Sequence, residues 1–271
     1  MKLIALSTRT IQKTGKDVYV LEKQVAEVYR RVLRITSAEA TELRLRDVTP
    51  CPTGLYAHQW ALDAMPTLTH IHSQALTWAN WKNNGGRTQE LAIWPPGVEL
   101  NGPSLGWRLA RAECARPGPF SSFPGFDRFV LPLDGDLCLS HGVHSKSRRV
   151  RRGECAGFAG EWLTSVELPN GPVHDLNLLC ARGAWTGTLT WLSLGRRRVL
   201  EELERGHLVL HLVEGRLRVR VTGEEEPLLI LPSDSLWLRD ARAGDVLECT
   251  GLHDDTNLVV ARVQPTPGAR T

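Results

Sequence analysis

The sequence predicts an all-β protein with a short helical extension at its N-terminus, and three observations carry that. Beyond Met65 the chain falls into short apolar runs separated by turn residues about 8–12 positions apart, the cadence of a β-sandwich or barrel. One of those runs, "RLRVRV", alternates so that Leu217, Val219 and Val221 share one face and Arg216, Arg218 and Arg220 the other. A strand with one wet face suits an antiparallel sheet. Before Met65 the period is helical: Val18, Leu21, Val25, Val28, Val32 and Ile35 recur at 3, 4, 3, 4, 3 and form one continuous stripe.

In chain order, the stripe predicts a first helix, and Ser37 is placed to cap a second short one over "AEATELRL". Pro50, Pro52 and Gly54 then break the pattern. Residues 1–64 are expected to be a partly helical or unstructured extension, and 65–271 the β domain. The only methionines are Met1 and Met65, so Met65 is the expected natural start, with 1–64 an added segment. The strands expected after it are "LTHIHSQ", "RFVLPL", "LCLSHG", "HLVLHLVEG", "RLRVRVTG", "PLLILP", "SLWLRD" and "DVLECTG". The last five follow a cupin-like cadence of apolar strand, glycine turn and polar-out return, which many small barrels share.

Composition sets bounds on function. The chain has 271 residues, 42% hydrophobic and 23% charged, ordinary for a soluble globular protein. No apolar run approaches the roughly 18 residues of a membrane span. "MKLIALSTRT" lacks the long apolar core and small-residue cleavage site of a secretory signal, so a cytoplasmic location is expected. With 33 basic and 30 acidic residues the charge does not call for nucleic acid. The one basic block, Lys146–Arg152, has no interleaved aromatics and reads as a solvated loop. The six cysteines (Cys51, Cys114, Cys138, Cys155, Cys180, Cys249) form no CxxC pair. Zinc-ribbon and thioredoxin readings fail, and buried free thiols are expected.

The motif that draws most attention is "ANWKNNGGRTQE" (79–90). It lacks the P-loop arrangement, and Pro95-Pro96 forbid a following helix, so the anion cradle of a helix N-terminus is absent. No GxSxG and no cysteine paired with a base suggest a nucleophile, and Ser121 in "GPFSSFPG" reads as a turn residue. His70/His72, His141/His144 and His207/His211 are candidate metal pairs. The first shares a strand face and could chelate, and Glu214 is a weak third ligand for the last. Tight metal binding needs at least three convergent ligands, so structural histidines are the expectation.

Four segments together go further. "WKNNGGRTQEL" (81–91), "GWRLARAE" (106–113), "GPFSSFPGFDRFVLPLDGD" (118–136) and "GPVHDLNLLCARGAW" (171–185) closely resemble, in order and spacing, the motifs of the HutD/Ves family. The likeness runs from about Leu68 to Val263. It implies a bicupin, two β-barrels in one chain, and a link to bacterial histidine utilisation with an accessory or regulatory role. The sequence departs from the family at Asn84, which replaces a glycine, at Leu176, and at Cys180 and Ala181; Arg182 is retained. Asn tolerates the left-handed turn that a glycine position there implies.

The polar and aromatic residues on these motifs are the candidate ligand contacts: Trp81, Lys82, Asn83, Asn84, Thr88, Glu90, Arg108, Ser121, Asp127, Arg128, Asp175, Asn177 and Arg182. Arg and Lys can grip a carboxylate, and Asn and Thr an amide or imidazole. Against this stands a structural role, with Asp127/Arg128 and Asp175/Arg182 pinning the two barrels together. Trp78, Trp107, Phe120 and Phe123 are expected to pack around the cluster. The leading expectation is a binding protein for a small anionic metabolite of histidine degradation, urocanate-like or an N-substituted glutamate. No cofactor, metal, catalytic residue, nucleic acid or membrane is expected, and a homodimer is the candidate assembly. The alternatives are a metal-dependent cupin enzyme or hydrolase acting on such metabolites, and an interaction module docking through the Val18–Ile35 stripe.

Overall fold

The computed structural model describes residues 67–268 apart from 82, 101, 222–225 and 242–244. The expected N-terminal helices, their Ser37 cap and the Met65 boundary therefore lie outside the described residues, as does Lys82. Among the described residues, nineteen strands numbered β1–β19 in chain order form four antiparallel sheets, and the only helix is a 3-10 turn at Ser73–Ala75.

A six-stranded sheet runs in the order β2 (Ala79–Asn80), β3 (Gly86–Trp94), β4 (Trp107–Cys114), β11 (Val173–Ala181), β6 (Phe126–Pro132), β9 (Ala156–Ala159). A four-stranded sheet of β5 (Gly118–Pro119), β10 (Ser165–Glu167), β7 (Leu137–Ser140) and β8 (Arg148–Val150) packs on one of its faces. Cys114, Val130 and Val173 on the larger sheet meet Leu137, Leu139, Val150 and Val166 on the smaller.

The later half repeats the plan. A five-stranded sheet runs β1 (Thr67–Ile71), β17 (Ser235–Ala241), β14 (Gly206–Glu214), β19 (Asn257–Pro265), β12 (Trp185–Ser193). It packs on a four-stranded sheet of β13 (Arg198–Glu202), β18 (Val246–Gly251), β15 (Leu217–Val221) and β16 (Leu228–Ile230) through Leu208, Leu210, Leu236, Leu217, Val219 and Leu247.

A third core joins the backs of the two large sheets, with Leu109, Leu131, Leu176 and Leu178 against Leu189, Val209 and Val259. The result is four layers and three cores. Each of the eight segments expected from sequence contains a strand, although "LTHIHSQ" is strand only to Ile71 and passes into the 3-10 turn at Ser73, and the end of "RLRVRVTG" lies outside the described residues. The alternation in "LRVRV" is the observed one, Leu217, Val219 and Val221 buried and Arg218 and Arg220 exposed. The run "HLVLHL" is buried on both sides because β14 is central in its sheet and covered by both neighbouring layers.

Candidate functional site

The described residues of "ANWKNNGGRTQE" form the hairpin joining β2 to β3, and their polar groups are taken up within it, by β4 or by the Leu76 carbonyl. The Trp81 N–H donates to the Gly86 carbonyl (2.9 Å) and the Asn84 N–H to the Trp81 carbonyl (3.0 Å). The Asn83 side-chain oxygen accepts from the Gly85 N–H at 3.0 Å, an Asx turn. Asn84 adopts φ 53, the left-handed conformation its departure from glycine required it to tolerate. Gly86 cannot be replaced cheaply, because a Cβ there would lie 2.2 Å from the Glu113 carbonyl oxygen. The Trp81 indole N–H donates to Thr88 Oγ1 at 2.6 Å, and Arg108 Nε to Glu90 Oε2 at 2.9 Å.

The cluster of greater consequence lies between the six-stranded sheet and its four-stranded partner. Strand alternation on β11 sends Leu176, Leu178 and Cys180 to the central core, and Val173, Asp175 and Asn177 to the other face. On β6 the same rule places Arg128 beside Val130 and opposite Leu131. Asn177 Oδ1 accepts from Arg128 Nε (3.0 Å) and Nη2 (2.6 Å), while its amide nitrogen donates to Asp175 Oδ1. Asn177 thus relays a buried guanidinium to a fully buried carboxylate.

Arg128 Nη1 also donates to the Ser121 carbonyl (3.2 Å), and its guanidinium lies 4.3 Å from the Phe120 ring centroid and 5.7 Å from that of Phe158. Burial pushes the Asp175 carboxyl up to about 7 against the opposing pull of Arg128, and it pushes Arg128 down to about 10, so Arg128 stays cationic at neutral pH. Asp175 Oδ2 is buried with no hydrogen-bond partner among the described residues.

Asp127 and Arg182 do not join this cluster. Arg182 Nε donates to Asp127 Oδ1 (2.8 Å), Nη1 to Glu161 Oε1 (2.7 Å) and Nη2 to the Phe126 carbonyl (3.0 Å), a half-exposed clamp that ties the end of β11 to β6 and to the turn after β9. Hydrogen bonds from Arg182 hold Glu161 down to about 2. The expected Asp127/Arg128 and Asp175/Arg182 pairs are therefore re-sorted into Asp127/Arg182 and Asp175/Asn177/Arg128.

One feature has no counterpart in the candidate list. A cavity of about 250 Å³ opens beside β7, β8 and β9, with Lys146, Arg148, Ser145, His141 and Trp162 on its wall and Ala156 among the apolar residues lining it. The basic block is divided. Arg149 pairs with Asp136, Arg151 with Glu154 and Arg152 with Glu214, whereas no carboxylate pairs with Lys146 or Arg148 among the described residues. His141 Nδ1 lies 2.9 Å from Thr164 Oγ1. Burial, then the nearby His144, lowers its pKa and favours the neutral ring. His144 stacks on Trp162 at 4.8 Å. Phe158 connects the two sites: its ring centroid is 4.6 Å from that of His141 and 5.7 Å from the Arg128 guanidinium.

His207 and His211 face the central core. His207 sits among Trp94, Trp107, Trp185 and Trp237, and His211, held neutral by burial that lowers its pKa to about 3, lies 2.9 Å from Ser235 Oγ. Glu214, the weak third ligand, instead accepts from Arg152 and Asn257.

Antiparallel sheets packed face to face in pairs are the architecture of a cupin-fold protein. The solved pirin YhhW from Escherichia coli shares that fold at TM-score 0.51 and 11% identity, over 74% of this chain and 100% of its own. The chain belongs to the HutD family, whose profile matches residues 73–254, and the resemblance read from the four motifs holds. It is 29% identical, over 59% of its length and 82% of the relative's, to an uncharacterised 21.2 kDa protein in the hutC 3' region of Pseudomonas putida. It is 31% identical to protein Ves of Citrobacter koseri over 38% of this chain, spanning only 52% of that relative. The structure of HutD from Pseudomonas fluorescens SBW25 matches at TM-score 0.59 and 25% identity, covering 74% of this chain and all of that one. Among the described residues no helix is long and apolar enough to cross a membrane.

Proposed function

We propose that the protein is a cytoplasmic bicupin whose first barrel, residues 79–181, binds a small anionic metabolite of histidine degradation in an accessory or regulatory role. The observation that carries this reading is the cavity walled by Lys146 and Arg148, two cations without carboxylate partners among the described residues, beside the Trp162 indole. A planar acid such as urocanate would place its carboxylate on the cations and its ring against Trp162. An N-substituted glutamate would use the same cations and Ser145. Arg128, Asn177 and Asp175 sit behind Phe158 and fix the polar wall of that barrel. The family's association with histidine utilisation supports the choice of metabolite class. Among the motif residues, Trp81, Asn83, Asn84, Thr88, Glu90 and Arg108 shape and brace the hairpin at the edge of this barrel.

Thermal-shift and calorimetric titration with urocanate and N-substituted glutamates test it. At least one is expected to raise Tm, because a ligand of the native state must stabilise it, and Arg148→Ala is expected to remove the shift. No stabilisation by any of them at saturating concentration would contradict it.

A further inference from the structure

A second cluster lies at the far edge of the other half. His70 is on β1, the edge strand of the five-stranded sheet. His72 follows in extended conformation (φ −76, ψ 124). Residues i and i+2 of an extended chain point the same way, so both imidazoles face one direction. What sequence could not supply is the third group. Asp234, 164 residues beyond His70, sits in the turn that leads into β17, the partner of β1. Its Oδ2 is 3.1 Å from His70 Nε2 and 3.4 Å from His72 Nδ1, and the three donor atoms all lie within 4.8 Å of one another.

We propose that His70, His72 and Asp234 form a binding site for one first-row transition-metal ion, of the zinc, nickel or copper type. The two distances to the carboxylate, 3.1 and 3.4 Å, suit it, since ligand atoms around an ion at about 2.1 Å are separated by roughly 3–3.5 Å. The donor chemistry suits it as well, since two imidazoles and one carboxylate select these ions over magnesium or calcium.

The carboxylate is oriented from behind. The Ser73 N–H donates to Asp234 Oδ1 at 2.8 Å, leaving Oδ2 aimed at the imidazoles, and the side chain is only 7% exposed. The turn itself is fixed. Ser233 holds φ 70, its N–H donates to the Leu212 carbonyl (2.7 Å), and the Leu212 N–H donates to the Asp234 carbonyl (3.0 Å). Ser233 therefore carries a left-handed conformation unusual for its residue type directly before the ligand, anchored to the central strand β14. The His72 side chain, 62% exposed, gives solvent access, and three protein ligands leave at least one position open to water. An ion there would tie the edge strand to the β16–β17 turn.

The test uses the full chain without a tag, stripped by chelator and titrated with ZnCl2 and NiCl2 by calorimetry. Cu2+ loaded at one equivalent is examined by electron paramagnetic resonance. Expected are one equivalent bound, a Tm rise on loading, a copper spectrum with nitrogen coupling from two imidazoles, and a loss of at least about tenfold in affinity for His72→Ala. Because His72 is largely exposed, that variant keeps the fold. Asp234→Asn should weaken binding likewise, and His174→Ala, on β11 and paired with Asp134 rather than with the cluster, should not. No binding of zinc, nickel or copper on titration, or stoichiometric binding unaffected by His72→Ala, would overturn the proposal.

Discussion

The two halves of the protein use the same plan, a large antiparallel sheet on a four-stranded one, and fill it differently. Between the second pair of sheets the described core is apolar, mostly leucine and valine (Leu208, Leu210, Leu212, Leu217, Val219, Leu236, Leu247) with Ile230 and Cys249. Between the first pair, Arg128, Asn177 and Asp175 share the space with Phe120 and Phe158, and a cavity opens at the edge. An apolar interior contributes stability through close packing. A buried charged relay contributes little net stability and costs desolvation. Under the proposed function, the second pair would be the scaffold and the first pair the half that recognises the metabolite.

The largest expected effect comes from breaking the relay. Arg128→Ala strips Asn177 Oδ1 of two buried donors and the Ser121 carbonyl of one, with Asp175 taking up a proton once the cation is gone, and should cost about 3–5 kcal/mol by urea unfolding at neutral pH. In the scaffold half, Leu236→Ala, at a position fully buried, should cost about 2–5 kcal/mol while leaving metabolite affinity of the folded fraction unchanged. A measured loss of affinity there would blur the division of labour.

Asp175 sharpens the comparison through pH. Its folded pKa, about 7, is raised above the ordinary carboxylate value, so its protonated form is favoured by folding. That contribution is fully present below the unfolded pKa, near 3.8, and is lost as pH rises toward 7. Denaturation curves across this window should show a falling component that Asp175→Asn removes. The smallest effect is expected at the hairpin. Asn83→Ala deletes one exposed side-chain hydrogen bond and should cost no more than about 0.5–1.5 kcal/mol, without changing metabolite affinity.

The strands were legible because one-sided burial writes itself as alternation, as in "LRVRV", and because turn residues mark the ends. Asn84 takes the left-handed conformation that asparagine tolerates, at a position where the family resemblance implies glycine. Pairing was less legible. Arg128 neighbours Asp127 in sequence, yet alternation sends the two to opposite faces of β6, so their partners exchanged. The cavity left no local signature, since its wall is assembled from β7, β8, β9 and the turn carrying Trp162. Likewise His70 and His72 could be paired from spacing alone, but Asp234 reaches them only through the β1–β17 ladder.

The central claim, that the first pair of sheets is the binding half, is tested most directly by a crystal structure of the protein soaked with urocanate. The account predicts ligand density between Lys146, Arg148 and Trp162, with the leucine-filled second pair unchanged. Ligand bound within the second pair, or at the Asn83–Gly85 hairpin with the cavity empty, would contradict it.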